Sequence, residues 1–299
     1  MTFDPTLIRN PVWHLDSIDL RDPAVFLHEG VAHLFFTHYD FRERLWHIGA
    51  TTTEDFISFS EIRLVSPEGY ASPGNVVRDG DRFVLCYQQY RHFPHTLCVS
   101  WSNDLETWSA PIEVFNTGTD NRWNLDNRVI DPYLVHDGER WFCYYTGSTR
   151  WCRPSGHNLI GVAGSADLRH WVDLSPTRPV IGVDYPWEEP DGNENNCVIR
   201  RDGRWFMLYS ASLAHQRIAW AVSDDLVNWD KGGLCDIPVP PAAATRFGAP
   251  FLIEDLGAPE TTYMIYQGER ADGRMSLLLM ASHDLVHWVE PNDGPGTVL

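Results

Sequence analysis

Short apolar runs closed by polar turns follow one another along the whole chain, and no stretch carries the 3.6-residue period of a helix. Five times a run passes into a turn of one design, an Asp followed by Leu or Phe, with an aromatic residue four positions after the Asp. The copies are Ile48-Gly49-Ala50 into Asp55-Phe56 and Phe59, Val99-Ser100 into Asp104-Leu105 and Trp108, and Val162-Ala163 into Asp167-Leu168 and Trp171. Trp220-Ala221 into Asp225-Leu226 and Trp229, then Leu279-Met280 into Asp284-Leu285 and Trp288, complete the set. The Asp positions lie 49, 63, 58 and 59 residues apart, which marks a repeat architecture. Asp in such a corner bonds its own backbone, while Leu and Trp fill the space between units, so these five Asp residues are read as structural.

Ahead of each corner stand two more runs joined by a tight turn. The turns are Glu29-Gly30, Asp79-Gly80, Asp137-Gly138, Asp202-Gly203 and a looser Asp255-Leu256-Gly257. Asp-Gly between β-rich runs is a strong hairpin signal. Each unit therefore reads as four antiparallel strands. Five units predict an all-β, five-bladed β-propeller that spans 1–299 as one domain, with 1–20 and 290–299 closing the ring.

Composition narrows the partners. Asp and Glu number 41 against 23 Lys and Arg, a net charge of −18. A surface that acidic repels phosphate backbones and anionic lipid, so neither nucleic acid nor membrane is expected as a partner. No run approaches membrane-spanning length, and the first residues lack the basic-then-apolar pattern of a signal peptide, so the expectation is a cytoplasmic protein. Six Cys include no CxxC pair and read as small buried hydrophobes. Thirteen His show no pair at metal-ligand spacing backed by carboxylates, so neither a catalytic metal nor another cofactor is expected.

In a propeller the innermost strand of each blade opens onto a central funnel, on the face that also carries the loops between the second and third strands. The five openings read Arg21-Asp22-Pro23, Ala71-Ser72-Pro73, Ile130-Asp131-Pro132, Asn193-Glu194-Asn195 and Gly248-Ala249-Pro250. Three bring a carboxylate: Asp22, Asp131 and Glu194. Their register is similar, eight residues before Gly30, seven before Gly138 and nine before Gly203. Three carboxyls around one sugar-sized space match what glycosidic cleavage requires, namely a proton donor, a base and a neighbour that sets the donor's pKa.

With these motifs in order, the chain resembles the five-bladed-propeller glycosidases of glycoside hydrolase family 43 and their relatives in families 32, 62, 68 and 117. The resemblance spans nearly the whole chain. It implies Asp22 as the general base, Asp131 as the modulator of the acid's pKa and Glu194 as the general acid. It implies a carbohydrate substrate, an arabinofuranoside or xyloside cleaved with inversion. Two departures stand out: Asn195-Asn196 follow the acid where Gly-Pro is usual, and Gly248-Ala249-Pro250 replaces a His that many members place near a central metal, which argues against a structural calcium.

The loops facing the funnel mix polar and aromatic side chains, as a sugar site does. From them and the approaches to blades III and IV, His38, Gln89, Trp151, Gln267, Arg128 and Trp187 are the candidate substrate contacts. Three rival readings are a retaining β-fructosidase with Asp22 as nucleophile, a phosphorylase using Arg91, Arg128 and Arg150, and a propeller that binds sugar without cleaving it.

Overall fold

A computed structural model describes residues 1–150, 155–238, 246–256 and 260–293. The chain forms five antiparallel sheets in sequence order. Blade I is Ile18–His28, Val31–Asp40, Leu45–Thr53 and Arg63–Leu64. Blade II opens with Tyr70–Ala71 and Val76–Asp79, two pieces of one inner strand, then Arg82–Gln89, Leu97–Ser102 and Ile112–Phe115. Blade III is Ile130–His136, Trp141–Ser148, Asn158–Ser165 and Trp171–Asp173; blade IV is Asn193–Arg201, Arg204–Ala211, Arg217–Ser223 and Asp230–Leu234. Blade V has Phe247–Ile253, Thr262–Glu269 and Met275–Ser282. Its outer edge pairs instead with both terminal segments, Trp13 bridging Leu277 and Val289 bridging Ala281. Within 1–20, Asn10 secures the closure by exchanging hydrogen bonds with the Leu279 backbone at 2.8 Å in each direction and donating to Glu290 at 2.6 Å, while 294–299 of the expected C-terminal closure lie outside the described residues.

Blades pack face to face, so both faces of the central strands are covered and read as continuous apolar runs. Phe83–Tyr87 and Leu277–Ala281 are buried throughout. The five corners behave alike. A Ser or Thr two residues before each Asp accepts the Leu or Phe backbone N–H, at 2.8 Å for Thr53 and 2.9 Å for Ser102. Each Asp accepts two further N–H groups, as Asp104 does from Glu106 and Thr107. Corner aromatics then reach the preceding blade: Trp108 packs edge-on to Phe35, and Trp229 to Tyr144. Cys86, Cys98, Cys143 and Cys197 are buried free thiols and Cys235 is half-buried and free; Cys152 lies outside the described residues.

Candidate active site

All five inner strands break register at their openings. The breaks fall at Arg21/Ala24, Ile130/Tyr133, Glu194/Cys197 and Gly248/Phe251, and blade II is interrupted between Ala71 and Val76. At each break one residue takes a left-handed backbone: Asp22 (φ 50°), Ser72 (47°), Asp131 (49°), Asn195 (46°) and Ala249 (48°). Non-glycine residues rarely adopt this conformation, and five copies around one axis mark a built feature of the funnel.

A ring of interblade clasps holds these apices. The second-strand residue facing each opening is Thr37, Gln88, Thr146, Ser210 or Gln267. Four of them accept the apex N–H of the next blade. Thr37 Oγ1 takes Ser72 N–H at 2.7 Å, Ser210 Oγ takes Ala249 N–H at 2.8 Å, and Gln267 Oε1 takes Asp22 N–H at 3.1 Å, while Gln88 Oε1 takes Asp131 N–H. The Thr146 hydroxyl is buried without a partner among the described residues.

Asp22 and Asp131 are apices. Glu194 is not; it stands one residue earlier, aligned with Arg21 and Ile130, and Asn195 takes the apex. The alignment of Glu194 with the other two carboxylates is therefore corrected by one residue. All three carboxyls nevertheless line one cavity of about 880 Å³, toward the upper end of small-molecule sites. Asn195 Nδ2 donates to Asp22 Oδ1 at 3.2 Å. Asp22 Oδ2 accepts from Thr37 Oγ1 at 2.7 Å and Ser72 Oγ at 3.1 Å. Glu194 accepts from Asn158 Nδ2 at 2.9 Å and Gln216 Nε2 at 3.2 Å. A chain of carboxamides links the Glu194 carboxyl to the Asp22 backbone N–H, since Gln267 Nε2 also donates to Gln216 Oε1 at 3.5 Å. Gly248 makes room for it: a Cβ there would stand 2.4 Å from Gln216 Cδ.

Protein packs around all three carboxyls, and this loss of hydration raises each above its ordinary value. Asp131 is pushed up to about 8, first by burial, then by the charges of Glu194 and Asp22. Glu194 rises through burial and the Asp22 charge, opposed by the Arg128 guanidinium. Asp22 rises through burial, opposed first by the Thr37 hydroxyl. Three acids that resist ionising together retain a proton near neutrality, which is what a site needs to protonate a leaving group.

Of the expected substrate contacts, Arg128 and Gln267 line the cavity. His38, Gln89 and Trp187 do not, and the reason for the first two is strand parity. Clasp positions 37 and 88 face the funnel, so the next residue in each strand faces away. His38 is buried beside His47, with ring centroids 6.4 Å apart. Gln89 fastens its own loop, donating to the carbonyls of His92 and Pro94 at 2.9 and 2.7 Å. Trp187 stacks on Tyr185 in the short 3-10 turn Pro186–Glu188. Trp151 lies outside the described residues. Sequence reasoning did not single out Trp46 and Tyr90, the aromatic rings of the cavity wall among the described residues, or Thr37, Asn158 and Gln216, which bind the acids. Parity counted from the openings is the signal that would have found Thr37 and Tyr90.

The opening of blade IV is anchored from outside the cavity. Glu188, fully buried, accepts from the backbones of Asp184 and Tyr185 at 2.6 and 2.9 Å, from Asn193 Nδ2 at 3.0 Å and from Lys231 Nζ at 2.6 Å. It thereby fixes Asn193, the neighbour of Glu194.

No family model matches the chain. A curated relative, the uncharacterized protein MT1551 of Mycobacterium tuberculosis (strain CDC 1551 / Oshkosh), is 25% identical over 178 residues, covering 54% of each chain. The chain spans about half the length of that relative. Among solved structures, a thermostable family-43 glycoside hydrolase is similar with a TM-score of 0.69 at 17% identity, over 91% of both chains. An α-L-arabinofuranosidase from Lactobacillus brevis has a TM-score of 0.69 at 14% identity, over 93% of this chain and 94% of that one. The chain has the five-bladed propeller fold of family-43 and related glycoside hydrolases.

Proposed function

We propose that the chain is a glycoside hydrolase that removes a terminal furanose or pentose unit, an arabinofuranoside or xyloside, from a short oligosaccharide with inversion at the anomeric carbon. One observation carries the reading: three carboxyls from three blades meet in one cavity and are pushed toward keeping a proton. Glu194 is the acid, donating its proton to the leaving oxygen as the glycosidic C–O bond breaks. Asp22, fixed by three hydrogen-bond donors, is the base that takes a proton from the attacking water. Asp131 is the modulator, a neighbouring carboxyl that itself resists ionising beside Glu194 and so keeps the cluster's proton close to the acid. Trp46 and Tyr90 offer apolar plates to a sugar ring. The scheme calls on no metal, because hydroxyl and carboxamide donors hold the carboxylates in place.

The test is a panel of aryl glycosides, with the first-formed anomer followed by proton NMR. Turnover of an arabinofuranoside or xyloside with an inverted product is expected. A retained product would move Asp22 to the role of nucleophile. Tight sugar binding with no product from any member of the panel would overturn hydrolysis.

A further inference from the structure

Six of the chain's 23 basic residues line this one cavity: Arg21, Arg44, Arg91, Arg128, Arg150 and Arg246. In a protein of net charge −18 that is a concentration of guanidinium groups, set in the same lining as the carboxyls of Asp22, Glu68, Asp131 and Glu194. Three of them spend their charge on carboxylates of their own. Arg21 pairs with Asp19 at 2.5 Å, Arg150 with Asp191 at 2.7 Å and Arg246 with Glu269 at 2.8 Å. Arg44, Arg91 and Arg128 have no such ion pair among the described residues.

Arg128 and the Arg91 stem are packed in place, and the Arg44 backbone is fixed. Arg128 is more than nine-tenths buried, and its Nε has no hydrogen-bond partner among the described residues. Arg44 closes a turn, donating its backbone N–H to Asp40 O at 2.8 Å in the left-handed conformation, φ 57°. The Arg91 stem rests on Gly69, where a Cβ would come within 2.4 Å of Arg91 Cγ. Gly69 itself is held between the Trp46 carbonyl and the Tyr90 N–H, at 2.8 and 2.6 Å. Arg128 lies toward the carboxyls, whose ionised forms it favours, whereas Arg44 and Arg91 are exposed at the mouth.

Building on the hydrolase reading, we propose that the substrate carries a negative charge on the unit beyond the scissile bond, received by Arg44 and Arg91 at the mouth of the cavity with Arg128 behind them. An acidic sugar, such as a uronic acid, supplies that chemistry. Guanidinium groups pair with carboxylate in a bidentate geometry that a neutral hydroxyl cannot match.

The experiment compares D-glucuronate and D-galacturonate with D-glucose and D-galactose by titration calorimetry at low salt and neutral pH. The acidic sugars are expected to bind about tenfold more tightly, the gain from one charge-assisted hydrogen-bonded pair. That ratio should fall to near one in the Arg44→Ala/Arg91→Ala double variant and shrink as salt is raised. Gly69→Ala, which displaces Arg91 without removing a charge, should lower it in part. A ratio near one in the wild type, no saturable binding of either uronate, or a preference that survives in the double variant would overturn the proposal. So would Arg44- and Arg91-dependent binding of inorganic phosphate without uronate binding, which would make the anion a separate reactant. Failure of the hydrolase reading looks different: uronate preference with no glycoside cleaved would remove hydrolysis and leave the anion subsite standing.

Discussion

Asp131→Asn tests the buried acid cluster without any substrate. Asn is close in shape and tolerates a left-handed backbone, so the apex at φ 49° is kept. A carboxyl whose folded pKa lies above its unfolded one costs stability as pH rises, because the unfolded chain gives up the proton first. For Asp131 the window runs from 3.8 to about 8. At about 1.4 kcal/mol per tenfold change in proton affinity, the full cost is roughly 6 kcal/mol, reached above the folded value and absent below the unfolded one. Asn carries none of it. Relative to wild type, the variant should therefore gain about 3–5 kcal/mol between pH 4 and pH 9. Urea unfolding followed by tryptophan fluorescence at several pH values reads this directly. Parallel stability profiles for the two proteins would show that Asp131 ionises freely in the fold, and the crowded-carboxyl reasoning would be refuted.

Thr37→Val and Thr146→Val form a matched pair on equivalent strand positions. The first strands the Ser72 N–H and removes a donor from Asp22, so it should cost about 1–3 kcal/mol and shift the acid limb of the pH–rate profile upward. The second replaces a buried hydroxyl that has no partner among the described residues with a methyl group and should be neutral or stabilising by up to about 1–3 kcal/mol; a cost equal to that of Thr37→Val would sink the clasp. Lys231→Met leaves buried Glu188 without its cation and should destabilise by about 3–5 kcal/mol in thermal unfolding, whereas a neutral result would mean that backbone donors alone hold the blade IV opening.

Much of this was legible in the chain because a propeller repeats its local rules. The Asp-Leu corners and Asp-Gly hairpins are set by turn chemistry within a few residues, so their sequence is enough to place them. The fifth blade departs because part of its outer edge is made by the N-terminal segment, where Trp13 and Asn10 meet Leu277 and Leu279, a long-range pairing with no local signature. The funnel was legible to within one residue. The apices precede Gly30, Gly80 and Gly203 by the same eight residues when Asn195 is taken in blade IV, and that count separates Asn195 from Glu194. His38 and Gln89 sit one step out of phase with the funnel, while Gln267, chosen from an equivalent loop, has the right parity. Arg128 reached the cavity from a coil. Trp46 and Tyr90 form a wall only because blades I and II meet there, which no single segment reports.

The account rests on proton donation by Glu194, and the most direct measurement is Glu194→Gln against two substrates of one sugar. Asn158 Oδ1 is free of hydrogen-bond partners among the described residues, so a flip of that side chain can receive the new amide and the site stays folded. With a sugar or alkyl leaving group, kcat/KM should fall about 10²- to 10⁴-fold; with dinitrophenolate, which leaves without a proton, it should hardly change. An unchanged rate on the sugar substrate, or the same loss on both, would contradict the assignment of Glu194 as the acid.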